Sequence, residues 1–271
     1  MELKLGIVTD IHLGRDTRFG GVLRKVGHRA EDLTRMFVRK MNEDFRPDAV
    51  LCLGDVVQDM SRAEDLEHYG RIWSILGGLE APLIPVNGNH DIIAMDESDV
   101  LQFWQRDALY YHTKVGALDV VVLHTREDKD SHVWLPQEQL PWLADVLSRC
   151  GRALVLMHHS AADQDTSLNY WFTRHPHLAL VRNREDLRRV IADAGNVVGV
   201  INGHLHWNQM TWHDGIPYIT IHSLTENPSG AEDPARPTGA YGELRFHGGW
   251  ANLDILGNER ASYRWPAEGL T

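Results

Sequence analysis

The stretch VINGHLHW, residues 200–207, ends an apolar run with two histidines spaced one residue apart. In an extended chain, the side chains of residues i and i+2 point to the same side. His204 and His206 would therefore face one target together. Taken alone, such a pair is more often an ordinary surface or core pair than a metal site, so the rest of the chain has to distinguish the two.

Four further apolar runs end in residues of the same chemical types. LGIVTDIH ends with Asp10 and His12, AVLCLGD with Asp55, LIPVNGNHD with Asn89, His90 and Asp91, and ALVLMHH with His158 and His159. In open α/β sheets, ligands bind outside the carboxyl ends of the strands. Five strands would thus bring these side chains to one place, and this shared position indicates a site more strongly than any single motif.

Short apolar runs alternate with longer amphipathic ones, which is typical of strands alternating with helices in an α/β protein. We predict strands near 3–9, 48–53, 82–87, 118–124, 152–157 and 197–202, and helices near 28–45, 62–77, 97–107, 136–149 and 183–194. In the last helix, Asn183 is the expected N-cap and Gly195 the stop signal. Turn signals at Asp214-Gly215 and Gly248-Gly249 predict C-terminal hairpins within 208–257. Residues 225–239, TENPSGAEDPARPTG, are predicted to form a surface loop.

Length and composition favour one globular domain over residues 1–271, because no linker separates two parts of the chain. The N-terminal sequence has no signal-peptide pattern, and no apolar run reaches the length of a membrane span. The two cysteines, Cys52 and Cys150, form no disulfide framework, so we expect a reducing, cytoplasmic location. The net charge of −11 argues against a broad nucleic-acid surface. The same net charge is compatible with a small anionic substrate, because bound metal cations reverse the sign of the local electrostatic potential.

The candidate ligands indicate a class of metal. Imidazole, carboxylate and one amide oxygen form a mixed nitrogen and oxygen set without thiolate, which favours Mn, Fe, Zn or Co. The set is too large for one tetrahedral zinc ion, so we expect two metal ions. A carboxylate such as Asp55 can bridge such a pair, which could clamp the attacking and leaving oxygens of a displacement.

In its motifs the sequence resembles the calcineurin-like metallophosphoesterases. Their series D-x-H, G-D, G-N-H-D/E, H and G-H-x-H matches Asp10-Ile11-His12, Gly54-Asp55, Gly88-Asn89-His90-Asp91, His158 and Gly203-His204-Leu205-His206, over residues 3 to about 222. The resemblance implies a four-layer α/β/β/α sandwich of two mixed sheets flanked by helices. It implies that Asp10, His12 and His206 hold one metal, that Asn89, His158 and His204 hold the second, and that Asp55 bridges them.

The resemblance also implies catalytic roles for His90 and Asp91. The His90 ring would contact the phosphoryl oxygen or the leaving group without binding metal. Asp91 would orient that ring through its other nitrogen, although an ordinary helix cap is compatible with its position. The sequence HHSAAD lacks the prolines that often follow the histidine pair in the family, so the choice of His158 over His159 is a preference.

Candidate substrate-binding residues come from three places. Arg15 and Asp59 lie close to ligands in sequence, and each could face the substrate or belong to a solvated loop. Residues 160–182 form a long connection that carries Tyr170, Trp171, Phe172 and His175. This segment could be an aromatic lid or could only anchor the loop. Trp207 is a wall of the pocket or part of the core.

The function that follows is a dimetal phosphohydrolase, in which a metal-bound hydroxide attacks a phosphodiester or pyrophosphate bond of a small substrate, which could be a nucleotide. Within the family, the chain resembles bacterial cyclic-nucleotide and glycerol-ester phosphodiesterases. A phosphomonoesterase, a nuclease of the same family and a scaffold that has lost its metals are the alternatives. A nuclease should show a basic groove and a scaffold should lack ligands, and the sequence indicates neither. No membrane partner is expected, and a homo-oligomer is compatible with the sequence.

Overall fold

The computed structural model describes residues 2–128, 131–232 and 234–270. Within them, the α-helices are α1 (Ala30–Arg39), α2 (Arg62–Leu76), α3 (Glu97–Trp104), α4 (Gln139–Arg149) and α5 (Arg184–Ala194). The first nine strands are β1 (Leu3–Val8), β2 (Thr17–Phe19), β3 (Val22–Lys25), β4 (Ala49–Cys52), β5 (Leu83–Pro85), β6 (Tyr111–Val115), β7 (Leu118–Val122), β8 (Arg126–Asp128) and β9 (His132–Trp134). The later strands are β10 (Arg152–Leu156), β11 (Val197–Asn202), β12 (Gln209–His213), β13 (Ile216–Thr220), β14 (Tyr241–His247), β15 (Trp250–Leu256) and β16 (Ala261–Pro266).

Two mixed sheets of six strands dominate the fold. In the first, with the order β16-β15-β14-β1-β4-β5, strands β1, β4 and β5 are parallel and the C-terminal strands add to β1 in antiparallel fashion. In the second, with the order β12-β13-β11-β10-β7-β6, four parallel strands lie between two antiparallel edge strands. The carboxyl ends of the central parallel strands, β1 and β4 in one sheet and β10 and β11 in the other, lead into the loops that carry the predicted ligands.

Three large clusters of the apolar core define the layers. The largest fills the space between the two sheets and includes Leu5, Leu51 and Ile201. A second part packs α1, α2 and α3 on the outer face of the first sheet, and a third packs α4 and α5 on the outer face of the second. The predicted α/β/β/α sandwich is confirmed. Across the described ranges, no helix combines the length and the apolarity that a bilayer span requires.

The sequence reading missed several strands at the margins of the sheets. β16 follows the predicted hairpins and pairs with β15, and its Trp265 is fully buried. The indole Nε1 of Trp265 donates to the carbonyl of Val198 at 2.7 Å, which ties the first sheet to the second. Strands β2 and β3 form a short hairpin around Gly20 and Gly21, whose positive φ angles form the turn.

Two local predictions need correction. Asn183 stands at the start of α5 but does not cap it, because its side chain pairs with the backbone N–H and carbonyl of Leu135. Residues 225–239 are not simply a surface loop, since residues 225–227 are buried and include the carboxylate of Glu226. The stop at Gly195 and both predicted hairpin turns are confirmed.

Candidate metal centre

The loops that follow the parallel strands bring the predicted ligands together. Five of these residues have left-handed backbone conformations, with φ between 48° and 69°: Asp10, His12, Asp55, His204 and His206. Such conformations cost about 1–3 kcal/mol each for residues other than glycine and cluster at functional sites. The GHLH stretch is therefore not extended, and its two histidines turn toward different neighbours.

The first predicted metal set is fully assembled. Nε2 of His206 lies 3.1 Å from Oδ1 of Asp10 and 3.1 Å from Nε2 of His12. The other ring nitrogen of His206, Nδ1, is 2.6 Å from Oε2 of the buried Glu226. A carboxylate that accepts the Nδ1 proton fixes the tautomer, so that the Nε2 lone pair of His206 points at Asp10 and His12.

The second predicted set lies on the other side of Asp55. His158 donates from Nδ1 to the carbonyl of Leu53 at 2.7 Å, and His204 donates from Nε2 to the carbonyl of Leu178 at 2.9 Å. Each ring therefore keeps its opposite nitrogen for a ligand. The amide oxygen of Asn89 belongs to the same cavity.

Asp55 connects the two sets through a single atom. Its Oδ2 lies 3.5 Å from Nε2 of His12 and 3.2 Å from Nε2 of His158. Its other oxygen, Oδ1, accepts the backbone N–H of His90 at 2.9 Å, which orients the carboxylate.

Unsatisfied polar atoms at the site show, independently of the sequence pattern, that these residues fit a pair of metal ions. Within the described residues, the buried Oδ1 of Asn89 and the Nε2 atoms of His158 and His159 have no hydrogen-bond partner. Buried polar atoms are nearly always satisfied, so the Asn89 oxygen beside the cavity and the two imidazole nitrogens beside His204 indicate a missing ligand. Asp10, His12 and His206 form one group with ligand atoms within 4.8 Å of one another, and the two adjacent histidines form another with His204.

His158 and His159 both remain close enough to act as ligands. The Nδ1 atom of His159 lies 2.7 Å from Oγ1 of Thr125, and its Nε2 is 3.7 Å from Oε2 of Glu127. The His158 ring lies against Asp55, the carboxylate common to both sets, with Nε2 3.2 Å from Oδ2. This contact favours His158 as the ligand, and the preference stays a prediction.

The histidines of the site differ in the direction in which their surroundings shift the pKa. Burial by itself lowers the pKa of His158, but the Asp55 carboxylate outweighs it and raises this pKa to about 10. Burial likewise opposes the effect of Asp10 on His206, whose pKa is nevertheless raised. His204 has a pKa well below its usual value, because burial and the neighbouring His159 both disfavour its charged form.

The expected contact between Asp91 and His90 is not what the structure shows. The buried Asp91 carboxylate accepts backbone N–H groups of Asp55, Val56 and Gly88 at 2.7–3.0 Å, and so holds two strand-end loops together. The Nδ1 atom of His90 faces Oδ2 of Asp59 instead, at 3.4 Å. Asp59 thus takes the place in which the sequence reading put Asp91.

A cavity of about 150 Å³ opens beside Asp55 and His90. Cavities that enclose whole small ligands usually have about 300–1,000 Å³. The enclosed part therefore suits metal ions and a phosphoryl group, while the remainder of a substrate would lie outside it. The indole of Trp171 and the ring of Phe172 line one side of this cavity.

Residues 160–182 cover the histidines directly. The Phe172 ring lies 5.0 Å from the His204 ring, and the Trp171 ring lies 6.0 Å from that of His206, between centroids. The Nε1 of Trp171 donates to Glu226 at 3.2 Å, and the hydroxyl of Tyr170 donates to the same carboxylate. The segment both anchors itself and forms a wall of the cavity, so the two readings of the sequence are not exclusive.

Three predicted substrate contacts are not placed at this cavity. The guanidinium of Arg15 is 81% exposed and pairs with Glu64 of α2 at 3.6 Å. Trp207 packs in a small apolar cluster with Phe172 and Leu205. Tyr170 is turned toward Glu226 rather than toward the cavity.

The sequence reading missed three residues of the site. Lys25 and Glu127 line the cavity, and Glu226 holds His206. Glu226 lies in a stretch rich in turn-forming residues, so its burial had no local signal. Lys25 ends an alternating run after Gly20-Gly21, and that hairpin pattern could have located it.

Comparisons with known proteins agree with this geometry. Residues 3–208 match the model of the calcineurin-like phosphoesterases. The chain is 24% identical over 197 residues to a probable cyclic nucleotide phosphodiesterase of Psychrobacter arcticus, an alignment that covers 68% of this chain and 64% of that protein. It is 26% identical over 231 residues to a cAMP/cGMP dual specificity phosphodiesterase of Mycobacterium tuberculosis, with 80% and 66% covered. The chain thus spans slightly less than two thirds of these two relatives.

Among solved structures, the chain resembles a dimetal phosphatase from Danio rerio. The TM-score is 0.78 at 16% sequence identity, with 98% of this chain and 99% of the other covered. At this identity, the likeness concerns the fold.

Proposed function

Because this chain belongs to the calcineurin-like phosphoesterase family, we propose that it is a dimetal phosphohydrolase. It cleaves a phosphodiester or pyrophosphate bond in a small phosphate ester. The observation that carries this proposal is the single oxygen of Asp55 that lies between His12 and His158, at 3.5 and 3.2 Å. One carboxylate oxygen between two imidazole sets is suited to bridge a metal pair.

In this proposal, Asp10, His12 and His206 hold one ion, Asn89, His158 and His204 hold the other, and Asp55 contacts both. The nitrogen and oxygen donors favour Mn, Fe, Zn or Co. When bound, the pair supplies Lewis acidity toward the phosphoryl oxygens and lowers the pKa of water.

The side chains of the protein have separate tasks in this chemistry. Glu226 and the carbonyls of Leu53 and Leu178 hold the imidazole rings in fixed tautomers. The His90 ring, with Nδ1 facing Asp59, carries a proton to or from the reacting phosphoryl group on its other nitrogen. Trp171 exposes one face to the cavity and excludes water from it.

Two observations support a small substrate. The named activity of the two bacterial relatives is the cleavage of cyclic nucleotides, which are small phosphodiesters. The net charge of −11 disfavours a long polyanion but not a single phosphoryl group neutralised by metal ions.

The experiment that tests the proposal combines elemental analysis with a substrate panel. Protein purified without chelator should contain two transition-metal ions per chain and hydrolyse some of a panel of phosphate monoesters, cyclic and linear diesters, and pyrophosphates. Asp55→Ala should lose or weaken both ions, because its carboxylate serves both sets.

Asp65→Ala is the matched control, since Asp65 is a buried carboxylate of α2 that accepts the backbone N–H of Met60 and belongs to none of the possible metal-binding groups among the described residues. One fully occupied metal in the wild type, unaffected by Asp55→Ala, would refute the bridging role. Preferential cleavage of DNA would refute the substrate class, and preferential cleavage of monoesters would make the protein a phosphomonoesterase.

A further inference from the structure

Lys25 is a cationic side chain that none of the roles above uses. It ends β3, where its backbone forms an antiparallel bridge with Glu226. The next residue, Val26, donates its N–H to the carbonyl of Thr225 at 3.0 Å. Because Glu226 also holds the ring of His206, the backbone of Lys25 is fixed relative to the first ligand set.

The side chain of Lys25 is directed into the site. The residue is 4% exposed, although lysines are rarely buried this deeply without a specific partner. Its Nζ lies 3.4 Å from Nε2 and 3.5 Å from Nδ1 of His12. Nearly equal distances to both ring nitrogens mean that it is aligned with neither lone pair, so the His12 nitrogens remain available.

Two further contacts hold the ammonium group in position. Nζ donates to Oε1 of Gln58 at 3.3 Å and lies 4.9 Å from the centre of the Trp171 ring. An ammonium has three N–H donors, and Gln58 takes up one of them. The remaining donors can reach an anion in the cavity that Lys25 lines together with Asp55 and His90.

Burial lowers the pKa of Lys25, and the nearby carboxylates of Asp55 and Glu226 oppose this effect only in part, so an added anion in the cavity would favour the charged form further. A cation 3.4 Å from a metal-ligand ring repels a metal ion and weakens its binding. A phosphoryl group brings negative charge to the same place and turns that repulsion into attraction. A charge-assisted hydrogen bond of this type is among the stronger polar contacts in proteins.

We infer that Lys25 binds a phosphoryl oxygen of the substrate and determines specificity for phosphoryl groups rich in negative charge. This inference rests on the proposed function. It deepens that function, because a third cation beside two metal ions favours pyrophosphates over singly charged cyclic diesters. Lys25 touches the substrate and needs no part in holding the metals.

The test measures the binding of inorganic phosphate to the metal-loaded protein by isothermal titration calorimetry. Lys25→Met keeps the length and apolar stem of the side chain without its donors. It should weaken phosphate binding roughly 10- to 100-fold, the loss expected for one hydrogen bond to a charged group, and still contain two metals. Lys25→Arg should recover part of the affinity. Lys40→Met, which removes an exposed lysine paired with Asp44, should bind phosphate like the wild type.

Hydrolysis provides a second measurement. In Lys25→Met, kcat/KM for a pyrophosphate substrate should fall more than kcat/KM for a cyclic diester. Unchanged phosphate affinity in Lys25→Met would overturn the inference, as would loss of the metals with equal loss on both substrates. If Lys25→Met is poorly folded, Lys25→Gln is measured against the same criteria. A wild type that hydrolyses no ester refutes the proposed function, whereas phosphate binding still decides the role of Lys25.

Discussion

At the scale of single residues, two glycines make the candidate metal centre possible. A Cβ at Gly88 would overlap the backbone nitrogen and Oδ1 of Asp55. A Cβ at Gly203 would overlap Oγ1 of Thr9 and Oδ2 of Asp10. Any larger residue there would displace a carboxylate, which explains physically why the GNHD and GHLH stretches begin with glycine.

His90 is the residue whose role is most directly testable. We expect His90→Ala to keep both metals and to lower kcat by about 10²–10⁴-fold, the usual contribution of a positioned acid or base. The reason is that the His90 ring lines the cavity with Nδ1 facing Asp59 at 3.4 Å, and the two predicted ligand sets are complete without it, although it lies beside His12 and Asp55. Steady-state kinetics and elemental analysis of the same preparation check this.

His28→Ala is a suitable control for that variant, because His28 is an exposed histidine paired with Asp16. Metal loss in His90→Ala would show that His90 is a ligand, which would require a different assignment of Asn89 or His158.

At the scale of elements, the packing of residues 160–182 bears on the two roles that the sequence allowed for this segment. The sequence offered an aromatic lid or a mere anchor. In the structure, Trp171 anchors the segment and also forms a wall of the cavity, because its indole N–H donates to Glu226 while its ring borders the cavity. Whether the ring also contacts the substrate depends on a ligand and stays a prediction.

We expect Trp171→Ala to reduce kcat/KM more for a diester that carries a nucleobase than for a small aryl phosphate ester. A base stacked on an aromatic side chain gains about 1–3 kcal/mol, and such remote binding positions the reacting group. Parallel kinetics on the two substrates measure the difference. Trp212→Ala serves as the control, since Trp212 is an exposed tryptophan of β12 that neither lines the cavity nor packs in the cluster of Trp171. Equal losses on both substrates in Trp171→Ala would mean that Trp171 only packs.

At the scale of the whole molecule, the candidate metal centre lies at the junction of the two sheets. Asp10 and Asp55 follow strands of the first sheet, while His158 and His206 follow strands of the second. The left-handed backbone conformations and the buried carboxylates at this junction each destabilise the folded state in the absence of a compensating ligand. Bound metal ions would offset this cost, so metal binding should stabilise the entire fold.

Removal of both metals should therefore lower the melting temperature by about 10–20 °C. This follows from about 2.7 kcal/mol of stabilisation for each of the two ions at a concentration 100-fold above Kd, with about 2–4 °C for each kcal/mol in a chain of this size class. Differential scanning calorimetry with and without chelator measures the shift, and added Mn²⁺ should reverse it. Asp55→Ala should respond little to chelator, and an unchanged wild-type melting temperature would contradict the linkage.

The residue pattern alone indicated the α/β class and the residue types that gather at the strand ends, and the resemblance to the calcineurin-like phosphoesterases implied the four layers. Apolar runs that end in Asp, Asn and His predicted strands whose carboxyl ends meet, because hydrophobic period and strand-end chemistry are local properties of the chain. The tertiary structure alone decided which partners orient these side chains. Asp59 rather than Asp91 faces His90, and Glu226 and Lys25 reach the site from the ends of distant segments. These contacts depend on tertiary packing, because Asp59 and His90 are 31 positions apart, Glu226 and His206 are 20 apart, and the bridge between Lys25 and Glu226 joins opposite ends of the chain.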